Sequence, residues 1–197
     1  MSPAKRAFDV VVAGTVLVVM AVPMLVIAAA VWVTMGRPVV FRQSRPGLHG
    51  GIFVLHKFRS MRDGPGSDAQ RVTTLGRFLR STSLDELPEL FDVLRGNMSL
   101  VGPRPLLVRY LDRYDERQAR RHEVRPGLTG WAAVNGRNGL TWPEKLELDV
   151  WYVEHRTFWL DLVILGRTVA TVARRTGIGH DEDGTVPEFL GPEADHR

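Results

Sequence analysis

The chain of 197 residues has no cysteine, a formal net charge of +4, 44% hydrophobic residues and 24% charged residues. This length and balance fit one packed domain with an appendage and argue against wholesale disorder. The lack of cysteine excludes disulfides, thiolate metal sites and cysteine nucleophiles. All but three of the 26 basic residues are arginine. Because arginine suits phosphate, the composition points to nucleic acid, nucleotides or anionic lipid, without choosing among them.

The first predicted element is an apolar segment. Residues 10–36 contain no charge over 27 positions, and a straight helix of that length would reach roughly 40 Å, more than the hydrocarbon core of a bilayer. Pro23 lies at the midpoint. A proline removes one backbone hydrogen bond and clashes with the carbonyl four residues earlier, here that of Val19, so a kink is expected there. Each arm alone is too short to cross a bilayer.

Positive charge flanks this segment on both sides. Lys5 and Arg6 precede it, and three arginines follow it at Arg37, Arg42 and Arg45. Because positive residues favour the cytoplasmic side, a helix–break–helix over residues 1–36 that enters and leaves by one face is favoured over a spanning helix. A cleaved signal peptide is disfavoured, since the run is too long and lacks a cleavage site.

Residues 37–178 are predicted to form one compact globular domain, mostly α with minor β, followed by a flexible acidic tail at 179–197. Short strands are predicted at 39–41 and 52–55. A loop is predicted at 63–68, where the sequence reads DGPGSD. Helices are predicted at 75–80, 84–94, 106–122, 143–155 and 158–175.

Two later segments carry further expectations. The glycine-rich segment 126–139 is expected to hold little regular structure. The helix at 158–175, capped by Thr157, is amphipathic and begins in a cluster of aromatic residues. It fits a helix lying in the lipid interface and equally a helix packing on a protein core, and both interpretations remain open.

The strongest candidates for chemistry are Asp85 and Glu86. Ser83 and Glu86 fit the S-x-x-E pattern of a capping box, so Glu86 has a purely structural interpretation too. Glu89 is a third carboxylate nearby. Depending on whether the helix begins near Ser83 or at Pro88, the acids lie in its first turn or in the segment entering it. In either case a helix N-terminus is expected to keep them ionised, as covalent attack or Mg²⁺ binding requires.

Short runs of cations surround these acids in the sequence. An arginine held between prolines or glycines loses less entropy on binding a phosphate, and this favours Arg104 in VGPRPL and Arg137 in NGRNG. The other candidates are Lys57, Arg59, Arg77, Arg80 and Arg125. The histidines lack the spacing of a zinc site, and none is assigned to a metal.

Four segments of the chain read KFRSM, RSTSLDELPELFDVLRGNMSLVGPRPLL, RPGLTGWAAVNGRN and KLELDVWYVEHRTFWLDLVIL. Together they resemble the bacterial sugar transferases, the small monotopic phosphoglycosyl transferases in their minimal catalytic form. The resemblance covers nearly the whole chain, from Lys5 to about Gly177. Two positions depart from the family pattern: Val22 stands where a serine usually precedes the proline, and Ala133 where a glutamine is usual.

The resemblance implies a re-entrant helix broken at Pro23 and a ping-pong reaction on the cytoplasmic face of the bacterial inner membrane. Asp85 would attack the sugar-linked phosphate of a UDP-sugar, UMP would leave, and a polyprenol phosphate such as undecaprenyl phosphate would accept the phosphosugar. Mg²⁺ is the implied cofactor, held by Asp85 and Glu86. This would be the first membrane step of glycoconjugate assembly.

The resemblance also assigns phosphate-binding residues. Lys57, Arg59, Arg104 and Arg137 are expected at the donor phosphates and Arg80 nearer the lipid phosphate. Arg125 and Asn135 are further substrate-binding candidates. Membrane lipid is an expected partner, a homodimer is left open and nucleic acid is not expected. The rival interpretations are a non-enzymatic membrane-surface scaffold and a basic nucleic-acid binder, and the latter leaves the apolar segment unexplained. The sugar and the polyprenol length stay undetermined.

Overall fold

The computed structural model describes residues 2–136, 139–174 and 188–191. Helix α1 covers Pro3–Val19 and α2 covers Ala21–Met35. The two are bent by 62° at Met20. Among the described residues no single helix is long and apolar enough to span a membrane, whereas this bent pair meets the length and composition criteria together.

The predicted break is confirmed, three residues before the proline itself. Pro23 is the third residue of α2, where its missing N–H costs nothing because the first turn of a helix has unpaired N–H groups anyway. The ring conflicts with the carbonyl four residues earlier, and α1 ends at that residue, Val19. The proline therefore starts the second helix and ends the first.

A β-hairpin follows, longer at both strands than the sequence predicts. Strand β1, Val40–Pro46, pairs antiparallel with β2, Ile52–Phe58, in a register that places Val40 opposite Phe58 and Pro46 opposite Ile52. The 63–68 segment is a loop up to Asp68, which begins α3, Asp68–Arg71. Helix α4 covers Thr74–Ser81, and it approaches the hairpin exit so closely that a Cβ at Gly76 would lie 1.8 Å from the carbonyl oxygen of Ser60.

The predicted helix 84–94 is wrong as one continuous helix. A 3₁₀ turn, Leu84–Glu86, comes first, and α5 covers Glu89–Arg95. The break follows from Pro88, which cannot continue the hydrogen-bonding of a helix begun at Ser83. The sequence left two alternatives for the start of the helix. The structure shows the second: Asp85 and Glu86 lie in the segment that leads into α5.

The predicted helix 106–122 is also wrong. The segment contains a 3₁₀ turn at Val108–Arg113, helix α6 at Glu116–Ala119 and a second 3₁₀ turn at Arg120–Glu123. Asp115 forms a capping box with Gln118 and so starts a new helix, while Tyr114 before it is extended. Tyr110 and Tyr114 turn instead onto Phe189, with ring centroids 5.6 and 5.5 Å from it.

The expectation of little structure at 126–139 is wrong in its first half. Strand β3, Ser99–Val101, pairs in parallel with β4, Gly127–Thr129. Helix α7, Trp131–Val134, follows at once. The glycines that suggested a loop instead allow close approach, because a Cβ at Gly127 would lie 2.1 Å from the amide nitrogen of Gly102.

Helices α8, Trp142–His155, and α9, Phe158–Arg174, are confirmed within two residues, and Thr157 accepts a hydrogen bond from the Leu160 amide as predicted. One face of α9 packs on the core, where Ile164 is fully buried, and Trp159 and Val169 are exposed. The fold is thus mostly helical with two small sheets, as predicted. The predicted tail lies outside the described residues except for 188–191.

Helix α1 is part of the main core. Ala13 is fully buried against residues of β2, α5, β3, α8 and α9. Beside it lies a buried polar network, here called the α1 network: Lys5, Asp9, Ser99, Tyr152 and Asp161. Lys5 Nζ lies 2.6 Å from Asp9 and 3.1 Å from Asp161, Ser99 donates to Asp9 over 2.7 Å, and Tyr152 donates to Asp161 over 2.6 Å. These bonds fix the apolar helix pair to the domain.

Candidate active site

Three carboxylates and two cations meet where the hairpin, the 3₁₀ turn and α5 adjoin. This carboxylate cluster consists of Asp85, Glu86, Glu89, Lys57 and Arg104. Lys57 is the penultimate residue of β2, the acids follow α4, and Arg104 lies in the proline-flanked loop after β3. The cluster therefore joins two of the four segments that carry the family resemblance.

The turn that presents Asp85 is unusual. Ser83 has φ +57°, a left-handed conformation that is uncommon for any residue other than glycine, and its side chain makes no capping hydrogen bond. The capping-box interpretation of Ser83 and Glu86 is therefore wrong. Glu86 instead accepts hydrogen bonds from Lys57 Nζ at 2.9 Å and Arg104 Nη2 at 2.5 Å. Both are charge-assisted hydrogen bonds, which are shorter and stronger than bonds between neutral groups.

Glu86 and Glu89 share Lys57 but titrate in opposite directions. Burial alone would raise the pKa of Glu86, but the positive charges of Arg104 and Lys57 outweigh it and lower that pKa to about 2. Burial raises the pKa of Glu89 to about 7, and the negative charge of Glu86 adds to the rise while Lys57 opposes it. Lys57 Nζ lies 3.0 Å from Glu89 Oε1, an ion-pair contact without the alignment of a hydrogen bond.

Asp85 differs from both neighbours. It is 8% exposed, and within the described residues its carboxylate makes no hydrogen bond or ion pair. Burial raises its pKa, and so does the neighbouring charge of Glu86, while the more distant Lys57, Arg104 and Arg80 lower it. Burial thus opposes the ionisation that the helix end was expected to favour at this acid, and the surrounding cations support it. A buried carboxylate that is not bound to a partner is poised for chemistry.

A buried ion pair positions Arg104, and the sequence did not reveal it. Arg121 is 2% exposed, donates to Asp149 over 2.7 Å and donates through the same nitrogen to the carbonyl of Arg104 over 2.7 Å. Asp149 comes from α8. The charged run around Arg121 was typical of a solvated helix, so no local pattern could have identified this contact.

Arg80 lies beside the cluster, whereas Arg59 does not join it. Arg80 Nε donates to Ser60 Oγ over 2.9 Å, and its charge acts on Asp85. Arg59 is buried, donates to the carbonyl of Met35 at the end of α2 and lies 3.3 Å from Asp63. Arg59 therefore caps the apolar helix pair.

The remaining predicted residues are placed elsewhere. Arg125 Nε donates over 2.7 Å to the carbonyl of Gly96, which caps the far end of α5. Asn135 ends α7, donates to the Trp131 carbonyl and accepts from Arg167 at 3.4 Å. Arg137 lies outside the described residues. Arg77, on α4, contacts Thr74 at the surface.

The cluster can supply ligands to Mg²⁺ only in part. In the described portion of the chain no three His, Cys, Asp or Glu side chains converge as a metal site. Mg²⁺ commonly binds one or two carboxylates and completes its shell with water and substrate phosphates. The neighbouring carboxylates of Asp85 and Glu86 fit that pattern, with the remaining ligands supplied by the substrate.

This geometry belongs to a transferase of known family. The profile of the bacterial sugar transferase family matches residues 1–175, so the chain belongs to that family. The uncharacterized sugar transferase EpsL of Bacillus subtilis (strain 168) is 51% identical over 193 residues, which cover 95% of this chain and 96% of EpsL.

Two further relatives carry names that state an activity. The undecaprenyl-phosphate galactose phosphotransferase of Salmonella typhimurium (strain LT2) is 37% identical over 88% of this chain and 41% of its own length. The UDP-glucose:undecaprenyl-phosphate glucose-1-phosphate transferase of Klebsiella pneumoniae is 42% identical over 84% of this chain and 39% of its own length. The chain thus spans about two fifths of these two relatives, and nearly all of EpsL.

Proposed function

We propose that the chain transfers a sugar 1-phosphate from a UDP-sugar to a polyprenol phosphate, such as undecaprenyl phosphate, and releases UMP. Membership of the bacterial sugar transferase family and the names of the Salmonella and Klebsiella relatives support this reaction class. The observation that carries the proposal is the state of Asp85: a buried carboxylate without a partner in the described part of the chain, beside two acids held by Lys57.

In the first step an oxygen of Asp85 attacks the phosphorus that bears the sugar. The bond from that phosphorus to the bridging oxygen breaks, and UMP leaves with the electron pair, so an aspartyl phosphosugar forms. Asp85 must be ionised for this attack, and Lys57, Arg104 and Arg80 favour its charged form. The same cations are placed to offset the charge that builds up on the phosphoryl oxygens.

In the second step an oxygen of the polyprenol phosphate attacks the same phosphorus. The acyl–phosphate bond breaks, the carboxylate of Asp85 is regenerated, and a polyprenol diphosphosugar forms. Arg80 lies at the exposed edge of the cluster, where a lipid phosphate approaching from the membrane can reach it. Asp85 and Glu86 would hold Mg²⁺, which supplies charge neutralisation to the donor phosphates when bound.

The apolar helix pair anchors this site to one leaflet as a re-entrant hairpin on the cytoplasmic face. Val18, Val22 and Leu25, around the bend, are 70–78% exposed, apolar and unpartnered, as lipid-facing residues would be. Because basic residues flank both ends, a hairpin leaves all of them on the positive-inside side. Arg59 ties the end of α2 to the strand that carries Lys57.

The reaction is tested by UMP release from a panel of UDP-sugars with undecaprenyl phosphate and Mg²⁺, using the full chain in detergent. We expect release with at least one sugar, and with the donor alone a phosphosugar adduct whose mass maps to the peptide containing Asp85. No release with any sugar contradicts the activity. Release without an adduct at Asp85, under conditions that trap acyl phosphates, contradicts the covalent step alone.

The topology has a separate test, because the chain has no cysteine of its own. Cysteine is introduced at Ser2 or at Val40, and intact cells are treated with a membrane-impermeant thiol reagent. The hairpin predicts that neither position is labelled until the cells are opened. Labelling of position 2 but not of position 40 would show a spanning helix. Pro23→Ala should increase that spanning fraction, because it removes the clash that ends α1.

A further inference from the structure

A cavity of about 270 Å³ lies at the opposite end of α5 from the carboxylate cluster. Here it is called the α1–α9 cavity. Its lining includes Ser2 and Lys5 of the α1 end, Thr157 and Phe158 of the α9 end, and the arginines Arg125 and Arg156. Helix α5, seven residues long, separates the two sites, a distance of roughly 10 Å. A group held in this cavity is therefore out of reach of Asp85.

The cationic side of the cavity is formed by Arg125 and Arg156. Of the two acids in the lining, Asp161 shares Lys5 with Asp9 and accepts a hydrogen bond from Tyr152, and Glu123 is bound at 3.0 Å by Arg120, which lies outside the lining. The lining also contains the positive ends of two helices of 17 residues each, capped by Ser2 and Thr157. Helix N-termini and arginines together are the usual elements of a phosphate site.

The depth of the cavity indicates where the anion comes from. Along α1 the exposed large apolar side chains begin at Val10 and Val11, 37% and 65% exposed, whereas Lys5 and Asp9 are buried in protein. If the hairpin is inserted as proposed, Lys5 lies roughly 9 Å on the domain side of Val11, which is the depth of the lipid headgroups. Trp159 is 73% exposed beside the cavity at the start of α9, and tryptophan favours this layer.

The cavity also has an apolar side. Leu48, Val101, Val124 and Phe158 line it, and Phe158 packs edge-on against Phe8 of α1 with ring centroids 5.1 Å apart. A small inorganic anion needs only the cationic side. A glycerophospholipid needs both, because its phosphate is followed by the glycerol and the start of the acyl chains.

We propose that the α1–α9 cavity binds the phosphate headgroup of a membrane phospholipid, at a site separate from the carboxylate cluster. The bound lipid fixes the entry of α1 against the start of α9. The inference rests on the proposed membrane topology but not on the proposed transfer chemistry.

The test measures binding to the full chain purified and delipidated in detergent. The probes are dioctanoyl phosphatidylglycerol, dioctanoylglycerol, which lacks the phosphate, and inorganic phosphate. We expect only the phospholipid to raise the unfolding temperature. An equal shift with inorganic phosphate overturns the lipid as the source of the anion. An equal shift with dioctanoylglycerol overturns the phosphate site.

Two variants locate the binding. Arg156→Gln removes a lining cation and should weaken phospholipid binding about tenfold, the effect of losing one charge-assisted bond. Leu48→Trp leaves every charge in place and should block the cavity by bulk. Arg117→Gln is the matched control, because it removes an exposed arginine that pairs with Glu147 and Glu154 and is not a lining residue. Unchanged binding in both lining variants, or an equal loss in the control, overturns the proposal.

Failure of this inference is distinguishable from failure of the proposed function. The phosphosugar adduct formed with donor alone should be unchanged in Arg156→Gln, and phospholipid binding should be unchanged in Asp85→Asn. If Asp85→Asn instead abolishes the phospholipid shift, the lipid binds at the carboxylate cluster and the α1–α9 cavity is not its site.

Discussion

Buried carboxylates lie at both ends of α5, and the two groups differ in how their charges are paired. In the α1 network, Asp9 and Asp161 each bind Lys5 and a hydroxyl donor. In the carboxylate cluster, Lys57 likewise contacts two acids, but Asp85 has no partner among the described residues. A buried network in which every carboxylate has a partner holds structure, whereas a carboxylate left unpaired costs stability and persists where chemistry uses it.

The comparison is tested most strongly at Asp85. Asp85→Asn should reduce turnover at least about a thousandfold, because the amide cannot form the acyl phosphate. The same change should leave the unfolding temperature unchanged or higher, because burial raises the pKa of Asp85 and the fold therefore disfavours its charge. Turnover and thermal unfolding are measured on one preparation. A variant that is both inactive and unfolded would place Asp85 among the structural acids.

The opposite result is expected in the α1 network. Asp161→Asn leaves Lys5 paired with Asp9 and removes the charge from the acceptor of the Tyr152 hydroxyl, so it should cost about 1.5–3 kcal/mol in the free energy of unfolding, as losing a hydrogen bond to a charged group does. Denaturant titration measures the loss, and Asp112→Asn at the exposed surface is the control. A loss below about 1 kcal/mol would mean that the network does not hold α1.

Glu89, in the carboxylate cluster, should make the free energy of unfolding depend on pH. Its folded pKa of about 7 lies above the ordinary value of 4.5, so its contribution to stability is fully present below pH 4.5 and is lost as the pH rises to 7. The loss is on the order of 3 kcal/mol. Glu89→Gln should not show this loss, so its stability relative to wild type should increase across that range.

The control for this measurement is Glu116→Gln, at an exposed position on α6. It should follow the wild-type pH dependence throughout. Glu86 acts in the other direction and in another window, since its pKa of about 2 adds stability that is lost only as the pH falls below 4.5. Parallel stability curves for Glu89→Gln and wild type between pH 4.5 and 7 would contradict the raised pKa.

The sequence predicted the grouping of the acids better than the grouping of the cations. Asp85, Glu86 and Arg104 lie within one continuous motif, so the fold brings them together, as predicted. Arg59 and Arg125 are of the residue type that binds phosphate, but their position in the sequence does not give the direction of a long side chain. Arg59 donates to the end of α2, and Arg125 donates to the end of α5. In the fold, the hairpin and the last two helices followed from periodicity.

The remaining parts of the fold depended on tertiary contacts that no local pattern contains. The helix predicted at 106–122 breaks where Tyr110 and Tyr114 pack on Phe189, which is distant in the sequence. Lys5 was interpreted only as a positive flank, yet it is buried between two acids, one of them 156 positions later. Ion pairs between residues far apart in the sequence thus decide which charged side chains hold the fold together.

The last test concerns Arg104, which binds Glu86 in the carboxylate cluster and is positioned by the ion pair of Arg121 with Asp149. Arg104→Ala should lower turnover about a hundredfold, the usual cost of removing one fixed donor from a developing negative charge. It also frees Glu86, whose low pKa depends on Arg104 and Lys57, so the pH profile of turnover should move as well. Arg117→Ala is the control, since it removes an arginine that pairs with Glu147 and Glu154 at the surface. Arg121→Lys keeps the charge beside Asp149 but loses the fork that also holds the Arg104 carbonyl. It should weaken turnover less than Arg104→Ala, through a higher KM for the UDP-sugar. Equal turnover in Arg104→Ala and Arg117→Ala would show that the donor phosphates bind elsewhere.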